Sequence, residues 1–234
     1  MLPVPKDPRA IVEPMLWGLR HPLRAFLWAL LALFAIRPLV EDSPVLFVFD
    51  TLFLALTVAA LRALVPSRRL LHAALALLVL TAASRIGGDI EALRILSGAS
   101  STLSAALVGV LIAFLLAYVL RARQVTGDVI LSAVTAYVLL GVFWGFAYLI
   151  LHEASPGAFS LDETLGSAEA QLRYLAMMTL TTVGYGDIVP KSAEARALAM
   201  IEAVLGQIYL AAVIARLVGL QVAATPATQA QSAD

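Results

Sequence analysis

The chain of 234 residues contains no cysteine, and only 14 % of its residues are charged. The absence of cysteine excludes disulfides, thiolate zinc sites and thiol catalysis. Sixteen basic residues are balanced by sixteen acidic ones, so the sequence has no surplus of positive charge for binding a nucleic acid. Three histidines lie far apart in the chain and form no metal-binding motif. Nucleic-acid binding and metal or thiol chemistry are therefore not expected.

Hydrophobic residues are abundant instead, at 61 % of the chain, and the mean hydropathy is +0.91. A helix needs about 20 apolar residues to cross the hydrocarbon core of a bilayer, which is ~30 Å thick. Six stretches meet or approach this length, which predicts an all-α polytopic membrane protein with six transmembrane helices. The predicted spans are Leu23–Val40, Val45–Val65, Leu70–Ile86, Thr102–Leu120, Val129–Leu151 and Ala195–Leu217.

The charges outside these spans predict the orientation of the chain. With the N-terminus in the cytoplasm, the cytoplasmic segments hold nine basic residues and the outer segments hold six. Because basic residues favour the cytoplasmic side, we expect a multi-pass protein of the cell membrane with both termini in the cytoplasm. Residues 1–22 are predicted to form a cytoplasmic segment, and residues 220–234 a disordered cytoplasmic tail.

The most specific motif is Thr-Thr-Val-Gly-Tyr-Gly-Asp at residues 181–187, here called the filter segment. It lies between the fifth and sixth predicted spans and follows a short amphipathic stretch from Ala168 to Leu180, for which Ser167 is the predicted N-cap. The motif and its context resemble the selectivity filter of potassium channels. The resemblance covers residues 126–219, which are expected to form a pore domain of outer helix, re-entrant pore helix, filter and inner helix. One motif per chain implies a homotetramer.

The resemblance also implies which atoms bind the ion. The backbone carbonyls of Thr182, Val183, Gly184 and Tyr185 are expected to replace the hydration shell of K⁺, and the Thr182 hydroxyl is expected to close the lowest site. Gly184 and Gly186 can adopt backbone conformations that a residue with a Cβ resists, which allows successive carbonyls to face one axis. K⁺ in the filter is the only ion expected, and no other cofactor is predicted.

The predicted pore helix departs from the family pattern at two positions. Many relatives have two aromatic residues where this chain has Tyr174 and Leu175, and some have a glutamate where it has Met178. Leu175 and Met178 cannot donate a hydrogen bond to Asp187 at the outer mouth, so we expect Asp187 to lack both partners. Tyr174 is expected to stabilise the filter by packing on Tyr185.

Glu202 is an acid near the middle of the last predicted span, where an unpaired charge is unfavourable. It lies about 130° around the helix from the predicted cavity face, so it should point toward the pore helix or a neighbouring subunit. One hypothesis is that Glu202 hydrogen-bonds near Thr179 or Thr181 behind the filter and substitutes for the carboxylate missing at Met178. The alternative is a protonated acid that fills a packing site.

The last span carries two further predicted features. Gly206 lies 19 residues after Asp187, where many relatives have a hinge glycine, although a helix-packing glycine is the alternative. Four residues at spacings of i, i+3, i+4 and i+7 share one helix face, which is expected to line the cavity below the filter. These residues are Gln207, Leu210, Ala211 and Ile214.

Residues 23–125 are predicted to form a four-helix transmembrane domain that does not sense voltage. A voltage sensor needs several arginines on its fourth span, yet residues 95–120 contain none.

Asp187 is expected to attract cations to the outer mouth together with Glu153, Asp162, Glu163 and Glu169.

Three functions are compatible with these observations. The first is a potassium-selective channel that conducts K⁺ passively, and the second is a weakly selective cation channel. The third is a six-helix transporter, membrane enzyme or scaffold, although no catalytic dyad, metal cluster or phosphate-binding loop is visible. The intact glycines of the motif, with Thr182 and Tyr185, favour the first. The expected partners are copies of the same chain, membrane lipids and K⁺, without a nucleic acid or a small-molecule substrate, and no enzyme activity is expected.

Overall fold

The computed structural model describes residues 22–36, 72, 75–76, 79 and 100–231. The described part of the chain is helical, and its one β pairing is a single bridge between Phe159 and Pro190. A 3-10 turn covers Glu163–Leu165. The helices are α1 (Pro22–Ile36), α2 (Ser100–Arg121), α3 (Gly127–Ala154), α4 (Ala168–Leu180) and α5 (Ala193–Gln231).

Three helices in the described part are long and apolar enough to cross a membrane: α2, α3 and the Ala193–Ala223 part of α5. They confirm helices at the fourth, fifth and sixth predicted spans. The 15-residue helix α1 covers most of the first predicted span. The second predicted span lies outside the described residues, and the third is described at four helical positions only, which are His72, Leu75, Ala76 and Val79.

Side-chain caps account for where α3 and α4 begin. The Ser167 hydroxyl accepts a hydrogen bond from the Ala170 amide at 3.3 Å, so α4 begins at Ala168 as predicted. The Thr126 side chain accepts from an amide in the first turn of α3 in the same way. These hydroxyls satisfy amides that have no partner within the helix, which fixes the first turn of each helix.

The chain divides into two units, residues 1–71 and residues 72–234. Helix α1 belongs to the first unit. In the second unit, α2 packs along α3, and α4 packs against both α3 and α5, while α3 also contacts α5. Helix α3 therefore lies at the centre of this unit and contacts each of its other named helices.

Two glycines of α3 permit α4 to approach closely. A Cβ at Gly145 would lie 3.1 Å from the Arg173 Cα, and a Cβ at Gly141 would lie 2.2 Å from the Met177 sulfur. Residues four apart share one helix face. The glycine pair thus forms the surface of α3 on which α4 packs.

An aromatic cluster joins α3 to the loops on both sides of the filter segment. The Tyr148 ring lies 5.2 Å from the Phe159 ring and 6.3 Å from the Trp144 ring, measured between centroids. Because these side chains are buried, they fix the loop that follows α3 against the helices. The buried cluster contains Trp144, Tyr148, Ala158, Phe159, Leu172, Leu175, Ala176, Ile188 and Ala195.

Arg216 of α5 hydrogen-bonds the carbonyl groups at the C-terminal end of α2. Its Nη2 donates to Ala122 O at 3.0 Å and to Leu120 O, and its Nε donates to Val119 O at 3.4 Å. The last carbonyls of a helix have no partner within the helix and carry partial negative charge, so a cation stabilises them. Val213 and Leu217 pack beside this contact.

Helix α5 continues to Gln231. The tail predicted to be disordered from residue 220 is therefore helical over residues 220–231. Alanine, which is frequent in this stretch, has the highest helix propensity and extends a helix that packing has already formed.

Candidate functional site

The filter segment leaves the end of α4 as a hydrogen-bonded turn. The amide of Val183 donates to Met178 O at 2.9 Å, and the amide of Thr182 donates to Thr179 O at 3.0 Å. The Gly184 amide lies 3.3 Å from the same Met178 oxygen. Met178, a predicted filter-support position whose side chain cannot bond Asp187, thus contacts the segment through its backbone carbonyl.

Three residues of the segment have positive φ angles: Thr182 at 60°, Gly184 at 55° and Gly186 at 79°. Glycine adopts this conformation without a steric penalty, as the motif predicted. A β-branched residue such as Thr182 rarely has a positive φ angle. Nothing in the sequence indicated that Thr182 would adopt this conformation. No described atom lies within 4 Å of the Cβ position at either glycine.

All residues from Thr181 to Asp187 are exposed in the single chain. Tyr185 is 74 % exposed and Val183 is 48 % exposed, although both are large and hydrophobic. A single chain therefore presents the segment on its surface and surrounds no ion with it. The arrangement leaves these side chains available to pack against further copies.

Asp187 receives a hydrogen bond that the sequence did not predict. The Tyr174 hydroxyl donates to Asp187 Oδ2 at 2.8 Å, and the Ile188 amide donates to Oδ1 at 3.0 Å. The Tyr174 bond is the main cause that holds the pKa of Asp187 below its ordinary value, and the same bond raises the pKa of Tyr174. Tyr174, expected to pack on Tyr185, is thus bonded to Asp187.

The chain that follows the segment is tied to the loop that follows α3. The Ser160 amide donates to Val189 O at 3.0 Å, and the Val189 amide donates to the Ser160 hydroxyl at 2.8 Å. The Lys191 amide donates to Ala158 O at 2.8 Å. These bonds hold the C-terminal end of the filter segment.

Gln171 is a residue that the sequence analysis missed. It is 5 % exposed, and its Nε2 donates to Asp162 O at 2.7 Å and Gly166 O at 3.0 Å, while its Oε1 accepts from the Asp162 amide at 3.0 Å. The sequence feature that could have identified Gln171 was its side-chain amide on the buried face of an amphipathic helix. Gln171 fixes the loop before α4 to the helix itself.

Three of the other acids expected at the outer mouth, Glu153, Asp162 and Glu169, have local partners. Glu169 forms an ion pair with Arg173 one turn along α4, so its charge is offset. Glu153 accepts a hydrogen bond of 2.8 Å from Ser101 of α2. The Asp162 side chain accepts from the amide and hydroxyl of Thr164, which lower the pKa of Asp162.

Glu202 is completely buried. Its Oε2 accepts a hydrogen bond from the hydroxyl of Tyr148 on α3. The hydrogen-bond partner of Glu202 is therefore Tyr148, which the sequence analysis did not select. Thr181 takes no part, because its hydroxyl donates to Met177 O at 2.6 Å.

Gly206 packs against the end of α4. A Cβ at Gly206 would lie 2.8 Å from Leu180 Cδ1 and 3.0 Å from Leu180 O. The same carbonyl oxygen accepts a hydrogen bond of 3.0 Å from the Tyr137 hydroxyl. Helix α5 is continuous through Gly206, so this structure supports the helix-packing alternative at that position.

The predicted cavity face of α5 is largely exposed, but so are its flanks. Gln207, Ala211 and Ile214 are exposed and Leu210 is half-buried, while Ile208 on a neighbouring face is 57 % exposed. Only 11 % of the most apolar window of α5 is buried, compared with 67 % for α3. Exposure in one chain thus does not distinguish a cavity face from a face that packs on another copy.

Residues 137–221 match the family model described as ion channel. The match begins in α3 and includes α4, the filter segment and most of α5. No curated protein and no solved structure matches the chain. The matched region, together with the three apolar helices, indicates a membrane protein with an ion channel domain.

Proposed function

We propose that the protein is a potassium-selective channel in which four copies of the chain surround one filter. The ion channel match supports passive ion conduction. The observation that carries the potassium assignment is the Thr-Val-Gly-Tyr-Gly-Asp sequence at residues 182–187, held between α4 and α5 with both glycines at positive φ. In this proposal α3 is the outer helix, α4 the pore helix and α5 the inner helix.

The carbonyl groups of residues 182–185 act as the ligands. A K⁺ ion leaves water only where a ring of oxygens replaces its hydration shell, and four copies of one strand supply such a ring. The pore helix ends at Leu180, directly before the filter. Its C-terminal end carries partial negative charge, which stabilises a cation that has lost part of its water.

The exposed surfaces of the single chain support assembly. The filter and most of the inner helix are uncovered in one copy, although both are rich in apolar side chains. In a tetramer the filter strands surround the axis and the inner helices line the cavity through Gln207, Leu210, Ala211 and Ile214. Lipid covers the remaining apolar surface, and the termini lie in the cytoplasm of a cell membrane.

The test is to record from the purified protein in planar bilayers. We expect the reversal potential to follow the potassium gradient and to change little when sodium replaces potassium on one side. Light scattering coupled to size exclusion should give the mass of four chains with bound detergent. Equal permeability to K⁺ and Na⁺ would establish the weakly selective alternative, and absence of current would favour the scaffold.

A further inference from the structure

The carbonyl groups at the end of α4 each need a hydrogen-bond donor from outside the helix. The Leu180 carbonyl, the last of them, accepts a hydrogen bond of 3.0 Å from the Tyr137 hydroxyl on α3. The three carbonyls before it accept from the amides of residues 181–183 at 2.9–3.0 Å, and they are Met177 O, Met178 O and Thr179 O. Tyr137 thus completes, from another helix, a set of bonds that the filter segment otherwise supplies itself.

The amide hydrogen bonds of the filter segment determine where its first carbonyl groups point. The Val183 amide donates to Met178 O at 2.9 Å, and the Gly184 amide lies 3.3 Å from the same oxygen. The N–H and C=O groups of a trans peptide unit point in opposite directions. The carbonyl groups of Thr182 and Val183, which are the first two proposed ion ligands, therefore point away from α4.

The Leu180 carbonyl lies where three helices meet. Leu180 is completely buried at the end of α4, and a Cβ at Gly206 on α5 would lie 3.0 Å from its carbonyl oxygen. On α3, the Tyr137 ring packs against the Tyr209 ring of α5, with 5.6 Å between the centroids. This ring contact fixes the Tyr137 hydroxyl beside the carbonyl oxygen to which it donates.

We propose that Tyr137 is a positioning residue for the filter, because its hydroxyl holds the last carbonyl of α4 and with it the turn that presents Thr182 and Val183 to the ion. The inference rests on the proposed channel function. Tyr137 acts through the backbone of the turn and does not itself bind the ion.

The peptide group between Leu180 and Thr181 shows how the hydroxyl acts. Its carbonyl is bonded to Tyr137 and its amide to Met177 O, so the peptide group is held at both ends. Without the hydroxyl, the Leu180 oxygen is a buried acceptor without a donor, which is unfavourable. Rotation of the peptide group relieves this cost, but it also pulls the Thr181 amide away from Met177 O. The carbonyls that follow then lose their fixed direction.

The test compares Tyr137→Phe with the wild type and with Tyr209→Phe. The two tyrosines are a matched pair, because each change removes one hydroxyl from the same ring contact. The Tyr209 hydroxyl donates to Ala133 O at 2.6 Å, a carbonyl inside α3 that also has a partner within the helix. Loss of the Tyr209 hydroxyl therefore leaves no acceptor without a donor.

Two quantities are measured for each protein. The first is the K⁺/Na⁺ permeability ratio in planar bilayers, which we expect to fall by about tenfold or more in Tyr137→Phe. The second is the rise in unfolding temperature of the tetramer when KCl replaces NaCl in detergent. This rise should shrink in Tyr137→Phe, because a weakly bound ion stabilises the folded state less. Tyr209→Phe should keep the wild-type ratio and the wild-type rise, even where its unfolding temperature in NaCl is as low as that of Tyr137→Phe.

Wild-type values of both quantities in Tyr137→Phe tetramers would show that Tyr137 only fills space, and the inference would be wrong. An equal loss in Tyr209→Phe would also overturn it, because any buried hydroxyl would then matter. If Tyr137→Phe forms no tetramers, it is co-expressed with the wild-type chain, and tetramers with two variant subunits are recorded. Their permeability ratio should lie below that of the wild type, and an unchanged ratio would overturn the inference. Absence of potassium current in the wild type would refute the channel function, and this inference with it.

Discussion

The hydroxyl of Tyr174 donates a hydrogen bond of 2.8 Å to Asp187, which joins α4 to the last residue of the filter segment. The side chains at positions 175 and 178, leucine and methionine, cannot form this bond. Leu175 is instead buried in the aromatic cluster. The outer end of the filter is therefore held by a tyrosine one position earlier in the helix.

In a Tyr174→Phe variant, Asp187 at the outer mouth should become protonated at a higher external pH than in the wild type. The Tyr174 hydrogen bond lowers the pKa of Asp187, so wild-type Asp187 stays ionised to a lower pH and loses its charge only as pH falls through that lowered value. Without the hydroxyl, the pKa of Asp187 should rise toward its ordinary value. Inward conductance at low ionic strength, where screening is weak, should be titrated with external acid. If the inward conductance of Tyr174→Phe and that of the wild type are half-reduced at the same external pH, the prediction is wrong.

The filter glycines should be intolerant of alanine for a conformational reason. Gly184 and Gly186 have φ angles of 55° and 79°, and an L side chain in this region costs roughly 1–2 kcal/mol. We expect Gly184→Ala or Gly186→Ala to abolish selectivity or conduction without preventing membrane insertion. Gly157 is the control, because its φ is 92° and its Cβ position is equally open, but it lies in the outer loop. If Gly157→Ala also loses selectivity, backbone strain outside the filter is enough to cause the defect, and the effect is not specific to Gly184 and Gly186.

The parts of this fold that local chemistry determines could be predicted from the sequence. Helix α4 begins and ends as predicted, because Ser167 caps its first turn and the glycine-containing filter segment follows Leu180. The helices at the last three predicted spans were predictable because long apolar runs specify them. Capping and hydropathy depend on residues within one segment, so the helices could be predicted without knowing which elements pack against them.

The partners of buried polar groups could not be predicted, because they depend on how helices pack. Glu202 was selected as an acid in an apolar helix, but its partner Tyr148 is 54 residues away on α3. Gln171 reaches back nine residues to Asp162, through a loop whose path the sequence does not reveal. Tyr174 and Asp187 are 13 residues apart, and the filter between them sets their distance.

Gly206→Ala should destabilise the protein through contact with the pore helix. The added methyl group would lie 3.0 Å from Leu180 O, which is held by Tyr137. Because a backbone carbonyl yields less readily than a side chain, we expect a loss of about 1–3 kcal/mol, typical of overpacking. Thermal unfolding in detergent measures the effect. Gly219→Ala is the control on the same helix, with no described atom within 4 Å of its Cβ position. Equal stability of the two variants would refute the packing role of Gly206.

Conduction should not depend steeply on voltage. Moving one charge through 100 mV contributes about 2.3 kcal/mol, so steep gating needs several charges that move. Helix α2, which directly precedes α3, carries no basic residue before Arg121 at its end. A conductance–voltage curve in symmetrical potassium, free of blocking ions, should therefore be shallow. A steep curve would require gating charges elsewhere in the chain.

Arg216→Gln should weaken the contact between the inner helix and α2. Arg216 hydrogen-bonds the Val119, Leu120 and Ala122 carbonyls, and hydrogen bonds to a charged group contribute roughly 1.5–3 kcal/mol. We expect the free energy of unfolding to fall by roughly 1.5–3 kcal/mol, so the variant should unfold in detergent at a lower temperature than the wild type. Arg123→Gln is the matched control, because Arg123 is exposed in the linker after α2 and a surface change there should alter stability by less than about 0.5 kcal/mol. Arg216→Lys should lie between wild type and Arg216→Gln, because an ammonium keeps the charge without the planar array of donors. If Arg216→Gln and Arg123→Gln unfold at the same temperature, Arg216 does not stabilise the end of α2.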